Sequence, residues 1–338
     1  MIRPKDLTIV VTAYNIAEYI KPCLMSIISN GGNLSEVLVI DDGSRDDTAD
    51  IALSVSREYP NIRYHYRENG GASAARNTAL DMVNTPFLTY VDGDDLIADD
   101  GISKLIKRMQ MGDDILISSR RLQRDADGTV KDQVKFDNIV SAPITELERD
   151  MLRLKAMHGK VFSVHFLREN NLRFEEGIIW EDLIFSYNAY LFANIISTTS
   201  DYTYIWRKRV GENKSVMQSP LTEHSIQSRL RQIQATIAIS SSVAWKTKFK
   251  HGASVQKEFG QRLMKHLDSV RVSPDELLAK RAFEQIRGGI RPHEDWIMSR
   301  GTPDVQRLYG LVIAGKFDEL RALPLPARLK KYADRTLI

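Results

Sequence analysis

The stretch EVLVIDDGSRDDT, residues 36–48, decides the fold. Its four consecutive apolar residues, three of them β-branched, are typical of a buried strand. Two carboxylates, Asp41 and Asp42, end the strand, and a glycine turn leads to a possible helix cap at Asp47 or Thr48. The stretch therefore predicts a strand, a polar loop and a helix that runs from Thr48 to Glu58.

The same unit of strand, polar loop and helix recurs throughout the first 100 residues. Apolar runs at 7–11, 62–66 and 86–91 alternate with helical periodicity at 16–29 and 72–83. This alternation favours a parallel, doubly wound α/β sheet, in which ligands bind beyond the carboxyl ends of the strands. We therefore expect the loops TAYN, DDGSRDDT and DGDD to face one crevice.

Beyond about residue 215 the pattern changes to helical periodicity, and the charge changes with it. Residues 1–100 carry 8 Lys or Arg against 16 Asp or Glu, whereas residues 201–338 carry 25 against 14. The basic part, including the tail PLPARLKKYADRTLI at 324–338, is a candidate for contact with an anionic lipid or polymer. Solvated helix faces or a subunit contact are the alternatives.

Composition excludes several classes of protein. Cys23 is the only cysteine, so the chain can hold neither an internal disulfide nor a cysteine-ligated zinc. No run approaches the roughly 18 apolar residues of a membrane span. The acidic first third and the lack of a basic-aromatic motif argue against nucleic-acid binding. We expect a cytoplasmic protein, with peripheral contact at the inner face of the plasma membrane as a further option.

The loop DGDD, residues 92–95, carries the clearest chemistry. Asp92 and Asp94 flank Gly93 at a strand end, where a turn can bring both carboxylates to a divalent cation. Oxygen ligands suit Mg²⁺ or Mn²⁺ and leave room for substrate phosphates. The alternative is an ordinary Asp-Gly turn.

Three other features are weaker when each is taken alone. The carboxylates after residue 40 can accept hydrogen bonds from a base or ribose, or can serve the turn. Tyr14 can stack on a flat ring or simply pack. In ENGGASAARNTAL, residues 68–80, the glycines and Arg76 suit a phosphate, and an exposed arginine is the alternative.

In this order and spacing, VVTAYN, VLVIDDGSRDDT, NGGASAARN and YVDGDD resemble the family 2 glycosyltransferases of the GT-A fold. The resemblance continues through the segment from MHGKVF to WED and ends near YIWRKRVGENKSVM, so that it covers roughly residues 7–217. It implies a GT-A domain at 1–217, whose nucleotide-binding half is about 1–100 and whose acceptor half is about 101–217. A mainly helical domain with a basic tail would follow at 218–338.

The resemblance also implies roles for individual residues. Asp182 would be the general base, supported by Glu181, and Asp94 with Asp92 would hold Mn²⁺ or Mg²⁺. The expected nucleotide contacts, in which Asp42 pairs with the base edge and favours uridine, are Thr12, Tyr14, Asn15, Asp41, Asp42, Arg76, Asp92, Gly93, Arg207, Arg209 and Ser215. The expected acceptor contacts are His158, Lys160 and Trp180. His158 stands where the family often has tryptophan, and for Lys160 a surface side chain that extends its amine to solvent is the alternative.

These roles imply an inverting transfer of a sugar from a UDP-sugar to a hydroxyl of a bacterial surface glycan, with a lipid-linked or anionic acceptor as an option. A cation and positive side chains would stabilise the leaving diphosphate while a carboxylate takes the proton. The alternatives are a metal-dependent nucleotidyltransferase and a catalytically silent module that binds glycans or nucleotides. Oligomeric state stays open, with a homo-oligomer as one option.

Overall fold

The computed structural model describes residues 2–31, 35–124, 128–147, 156–209, 221–249, 266–300 and 303–324. The chain divides into two units. Unit 1 comprises Met1–Gly177 and Glu181–Ser215, and unit 2 comprises Ile178–Trp180 and Val216–Ile338. The basic tail beyond residue 324 lies outside the described residues, so its predicted role stays a prediction.

The first part of unit 1 is a parallel sheet with the strand order β3, β2, β1, β4. Its strands are β1 Leu7–Ala13, β2 Glu36–Asp41, β3 Ile62–Tyr66 and β4 Phe87–Asp92. The helices between them are α1 Ala17–Ser29, α2 Thr48–Glu58 and α3 Ala72–Met82. Each element lies within two residues of its predicted position, because strongly periodic segments specify their own local structure.

The second part of unit 1 extends the same sheet with mixed strand directions. Its elements are β5 Leu96–Ile97, α4 Gly101–Arg108, β6 Ile115–Arg124, β7 Val130–Val134, β8 Ile139–Pro143, β9 Lys160–Ser163, α5 Val164–Glu169, α6 Asp182–Phe192 and β10 Ile195–Lys208. Strand β9 lies between β4 and β6 and is antiparallel to both. This insertion carries the segment around His158 to the edge at which β4 ends.

Buried aliphatic side chains from both sides of the sheet form the core of unit 1. Ile9 and Val11 of β1 are fully buried, as are Ile20 and Leu24 of α1, which pack in the same cluster. A β-branched strand between two other strands removes its apolar surface from water on both faces, which is the main source of stability for such a sheet. The rigid sheet fixes the positions of the loops at its edge.

From residue 221 onward, the described parts of unit 2 are mainly helical. Its helices include α7 Glu223–Ser241, α8 Val243–Lys248, α9 Glu276–Ile290, α10 Glu294–Arg300, α11 Pro303–Ile313 and α12 Phe317–Ala322, and residues 266–272 are helical as well. Pro303 begins α11 because a first-turn residue needs no amide hydrogen bond. Phe283, Ile286 and Tyr309 belong to its buried core. The predicted α/β class, with helices in the C-terminal region, is confirmed.

Across the described parts of the chain, none of the helices combines the length and the apolar character that a membrane crossing requires.

Candidate active site

Neighbouring strand ends bring three polar loops to one edge of the unit 1 sheet. Ala13 lies in register with Asp41 of β2, and Thr12 lies in register with Asp92 of β4. Because these strands are parallel, the loops that follow them leave the sheet on the same side. The predicted convergence of the three loops is therefore present.

Asp42, only 3% exposed, is surrounded by donors from the loop after β3. Its carboxylate accepts hydrogen bonds from the backbone of Gly71 at 2.7 Å and Gly70 at 3.1 Å, and from Nδ2 of Asn69 at 3.1 Å. The guanidinium of Arg67 binds Oδ1 of the same carboxylate. The sequence interpretation missed Arg67, although its place directly after β3, beside β2, could have indicated it.

Asp41 and Asn15, which are also predicted to contact the nucleotide, fix the shape of the loops after β2 and β1. Asp41 is buried and accepts a hydrogen bond from the hydroxyl of Tyr64 at 2.6 Å. Oδ1 of Asn15 accepts from the backbone of Arg45 at 2.8 Å, which joins the first loop to the second. Tyr14 is 46% exposed, so its ring is open to a planar ligand.

Thr12 and Gly93 meet through their backbones. The amide of Gly93 donates to the carbonyl of Thr12 at 2.9 Å. A Cβ atom at Gly93 would lie 2.5 Å from Cδ1 of Ile16 and 2.9 Å from that carbonyl oxygen. The glycine of DGDD is thus explained by close packing against β1 and α1.

Arg76 lies at the centre of the candidate site, and its burial excludes the alternative of an exposed arginine. It belongs to α3, is 3% exposed, and its Nη2 lies 2.9 Å from Oδ1 of Asp92. Its Nη1 binds Glu181 and lies 3.3 Å from Oδ1 of Asp182. A planar guanidinium can bind several carboxylates at once, which a lysine amine does less well. Arg76 therefore connects the DGDD loop to the Glu-Asp pair.

Asp182 is the more accessible carboxylate of that pair. Asp182 begins α6 and its side chain is 22% exposed, against 9% for Glu181. Oδ2 of Asp182 also accepts a hydrogen bond from the backbone of Met157 at 3.3 Å. Burial raises the pKa of the Glu181 carboxyl, and the charge of Arg76 only partly opposes this effect. Asp182 is accordingly better placed to meet a substrate hydroxyl.

A second cluster joins Asp92 to His158 and Asp95. Nε2 of His158 lies 2.8 Å from Oδ2 of Asp92 and 3.8 Å from Oδ2 of Asp95. The His158 ring stacks on Tyr204 at 4.8 Å between centroids, and the Tyr204 hydroxyl donates to Asp95 at 2.6 Å. Burial opposes ionisation of Asp92, but the charges of Arg76 and His158 outweigh it and hold the pKa of Asp92 well below its usual range.

Asp94 has different partners. Nε and Nη2 of Arg209 both lie 2.6 Å from its Oδ2. Nε of Arg207 donates to the backbone carbonyl of Asp94 at 2.5 Å, and both guanidinium groups lie over the ring of Tyr19. Burial, followed by the charge of Asp92, raises the pKa of Asp94 despite this pairing. Arg207 and Arg209, both predicted to contact the nucleotide, thus bind the DGDD loop, whereas Ser215, predicted with them, lies outside the described residues.

The contacts described above reduce the repulsion between the closely spaced carboxylates of the DGDD loop. Asp92 pairs with Arg76 and His158, Asp94 pairs with Arg209, and Asp95 accepts a hydrogen bond from Tyr204. Each carboxylate therefore has its own donor, so the charges of the protein already relieve part of the repulsion between them.

Lys160, a predicted acceptor contact, is fully buried, and the alternative of a solvent-exposed amine is wrong. It begins β9 inside the sheet, where its Nζ donates to Oγ of Ser186 at 3.0 Å and lies 4.9 Å from the ring centroid of Tyr190. Burial lowers the pKa of Lys160 to about 7. Because Ser186 and Tyr190 both lie on α6, the Lys160 side chain packs against this helix and does not reach an open surface.

Trp180, a third predicted acceptor contact besides His158 and Lys160, belongs to unit 2. Its backbone has a φ of +61°, which is uncommon for a bulky residue. Helix α7 holds this conformation: Gln232 donates to the carbonyl of Trp180, and the guanidinium carbon of Arg229 lies 4.2 Å from its ring centroid. The described contacts of Trp180 are thus structural ones.

The donor set around Asp92 fits a divalent cation. One ligand atom each from Asp92, Asp95 and His158 lies within 4.8 Å of the others, among the residues that the structure describes. Carboxylate oxygens suit Mg²⁺ and Mn²⁺, and imidazole suits transition metals. Asp94 is not part of this group, so its assignment as a ligand stays a prediction.

Comparison with known proteins bears on this site. The family model for Glycosyl transferase family 2 matches residues 8–172. Glycosyltransferase GlyA of Streptococcus pneumoniae is 28% identical over 226 residues, which are 62% of this chain and 32% of that protein. The poly(ribitol-phosphate) beta-glucosyltransferase of Bacillus spizizenii is 28% identical over 63% of this chain and 34% of its own length. The chain thus matches about a third of the length of these two relatives.

Solved structures show the same fold. A segment of S. aureus TarS in complex with UDP-GlcNAc superposes with a TM-score of 0.75 at 21% identity, and covers 93% of this chain and 89% of that one. At this identity the likeness establishes the fold, which is the predicted GT-A architecture. The match over residues 8–172 identifies this part of the chain as a glycosyl transferase family 2 domain.

Proposed function

We propose that this protein transfers a sugar from a UDP-sugar to a hydroxyl group of a bacterial surface glycan, with inversion at the anomeric carbon. The observation that carries the proposal is Arg76, which binds Asp92 of the DGDD loop and Asp182 at the start of α6. One buried side chain thereby ties the carboxylate expected at the donor to the carboxylate expected at the acceptor. Relatives named for surface-polymer synthesis support the glycan class.

The donor lies at the carboxyl edge of β1, β2 and β4. The exposed ring of Tyr14 stacks on the base, and Asp42 accepts a hydrogen bond from its edge, which favours uracil with its N–H donor. The loops that Asp41 and Asn15 hold keep these two side chains in place. Arg207 and Arg209 lie beside the same loop as Asp94 and supply positive charge for the leaving diphosphate.

Asp92 contributes to a cation site, for which His158 and Asp95 supply the nearest further donors and the resemblance adds Asp94. When bound, Mn²⁺ or Mg²⁺ neutralises charge that develops on the diphosphate. The protein contributes a rigid set of ligands, since Arg76 holds Asp92 and Tyr204 holds both Asp95 and the His158 ring.

Asp182 acts as the general base. Its Oδ1 faces Arg76 while Oδ2 meets the backbone amide of Met157, so the carboxylate has a defined orientation. It takes the proton of the acceptor hydroxyl as the oxygen attacks the anomeric carbon from the side opposite the diphosphate. One displacement with one base inverts the configuration of that carbon.

The acceptor class rests on charge and on the relatives. The basic C-terminal part suits a lipid-linked or anionic glycan at the inner face of the plasma membrane, where its basic tail can make peripheral contact. A sedimentation experiment decides whether the enzyme is a monomer or a homo-oligomer.

UDP release from a panel of UDP-sugars, with Mn²⁺ or with EDTA, tests the proposal. We expect cation-dependent turnover of one sugar by the wild type, and a loss of at least about 100-fold in Asp182→Asn. Asp99→Asn, at an exposed carboxylate just after the same loop, is the control and should retain activity. Once an acceptor is found, NMR of the product should show the anomer opposite to that of the donor.

Two outcomes point to the alternatives. Full activity in Asp182→Asn, with nucleotidyl rather than glycosyl products, would identify a nucleotidyltransferase. UDP binding that survives Asp182→Asn without any glycosidic product from the wild type would identify a silent binding module.

A further inference from the structure

The contacts of the His158 ring go beyond those that packing in a protein core requires. Its Nε2 faces two carboxylates, Asp92 at 2.8 Å and Asp95 at 3.8 Å, and its ring is stacked on Tyr204 with an interplanar angle of 10°. The residue is only 9% exposed. A ring that is stacked on one face and whose nitrogen points at two carboxylate oxygens has the geometry of a metal ligand.

The distances agree with this interpretation. Neighbouring ligands of an octahedral cation with bonds near 2.1 Å lie about 3 Å apart, and opposite ligands lie about 4 Å apart. The separations of 2.8 Å and 3.8 Å from Nε2 fall in this range. In contrast, two nitrogens of Arg209 hold Oδ2 of Asp94. Besides Asp92, the carboxylate of this loop that faces the imidazole is therefore that of Asp95 and not that of Asp94.

We propose that Nε2 of His158 binds the divalent cation directly, together with carboxylate oxygens of Asp92 and Asp95. This inference rests on the proposed function only for what the cation does in catalysis. The ligand set itself follows from the geometry of these three side chains. A mixed nitrogen and oxygen site selects a first-row transition cation such as Mn²⁺ over Mg²⁺, since imidazole is a poor ligand for Mg²⁺. His158 thereby sets the metal preference of the enzyme.

Electron paramagnetic resonance of bound Mn²⁺ tests this assignment without any turnover. In the full chain with Mn²⁺ and UDP, pulsed measurements should show coupling to a histidine nitrogen, and ¹⁵N-histidine labelling should change that signal. His158→Phe keeps an aromatic ring against Tyr204 and removes the nitrogen, so the coupling should vanish and the Kd for Mn²⁺ should rise at least about tenfold. Mg²⁺ should compete weakly with Mn²⁺ in the wild type and more strongly in the variant.

The same substitution at an exposed histidine, His165→Phe, is the control, since the His165 side chain is 83% exposed on α5. It should leave both the coupling and the affinity unchanged. Wild-type protein that binds Mn²⁺ without nitrogen coupling, or that binds no Mn²⁺ with UDP present, would overturn the assignment. If His158→Phe folds poorly, the labelled wild type still shows whether a histidine nitrogen binds Mn²⁺, and His158 is the histidine that belongs to this group of ligands among the described residues. UDP release is measured separately, so the proposed function can stand or fall independently.

Discussion

Nη2 of Arg76 lies 2.9 Å from Oδ1 of Asp92, although Arg76 belongs to α3 and Asp92 ends β4. Nη1 of the same guanidinium reaches Glu181 and Asp182, more than 100 residues further along the chain. The guanidinium of Arg76 thus holds together the DGDD loop and the Glu181–Asp182 pair, on which the proposed chemistry depends.

Replacement of Arg76 by lysine should separate these segments. An amine cannot bind three carboxylates in one plane, so buried negative charge loses its partner. We expect Arg76→Lys to lower kcat at least about 100-fold and to destabilise unit 1 by about 3 kcal/mol. Arg57→Lys, at an exposed position on α2, is the matched control for UDP release and thermal unfolding. Wild-type turnover in Arg76→Lys would contradict this role.

Arg67 should influence which base the protein accepts. It binds the carboxylate of Asp42, and at 23% exposure its side chain has room to turn toward a ligand. Uracil offers carbonyl oxygens to a guanidinium, whereas cytosine presents an amino group in place of one of them. Arg67→Gln should raise the Kd for UDP about tenfold, or 1.4 kcal/mol, and reduce the preference for UDP over CDP.

Calorimetric titration of both nucleotides measures this effect. Arg63→Gln is a matched control, because Arg63 lies on β3, the strand that Arg67 directly follows, but pairs with Glu36 at an exposed position. Equal UDP and CDP affinities in the wild type, or an unchanged ratio in Arg67→Gln, would rule out a role in base selection.

Gly93 should be intolerant of a side chain for a steric reason. The added Cβ of Gly93→Ala would lie 2.5 Å from Ile16 and 2.9 Å from the Thr12 carbonyl, and a backbone oxygen cannot move aside. We expect a loss of about 1 to 3 kcal/mol in the free energy of unfolding. In Gly112→Ala the new Cβ would meet no atom within 4 Å among the described residues. Denaturant titration should therefore show a shift only in the first variant.

His266 should make the stability of unit 2 depend on pH. The ring is fully buried, and neither nitrogen has a hydrogen-bond partner among the described residues. Burial, together with the nearby charge of Arg229, lowers the pKa of His266 from 6.5 to about 3. The unfolded chain therefore binds more protons between these values, so stability is retained above pH 6.5 and falls as the pH drops toward 3. The full difference corresponds to about 5 kcal/mol.

His266→Phe should remove this dependence while it keeps an aromatic ring in the core. Thermal unfolding at pH 7 and pH 4.5 measures it: the wild type should lose more Tm than the variant on acidification. His224→Phe replaces an exposed histidine and should behave as the wild type does. An equal loss of Tm in wild type and His266→Phe would show that other groups control acid stability.

The amino-acid sequence by itself determined the first four strands, the helices between them and the loops that follow. Local periodicity specifies such elements, and the parallel arrangement of β1, β2 and β4 then requires Asp42 and Asp92 to lie at one edge. That is why the order and chemistry of the nucleotide loops could be predicted.

Only the tertiary structure decided the partners of these side chains. His158 meets Asp92 because β9 inserts antiparallel between β4 and β6, and the same insertion buries Lys160. Arg76 meets Asp182 because α3 and the start of α6 face each other across the site. Contacts between residues so far apart in the chain depend on strand order and helix packing, which local patterns of hydrophobicity do not encode.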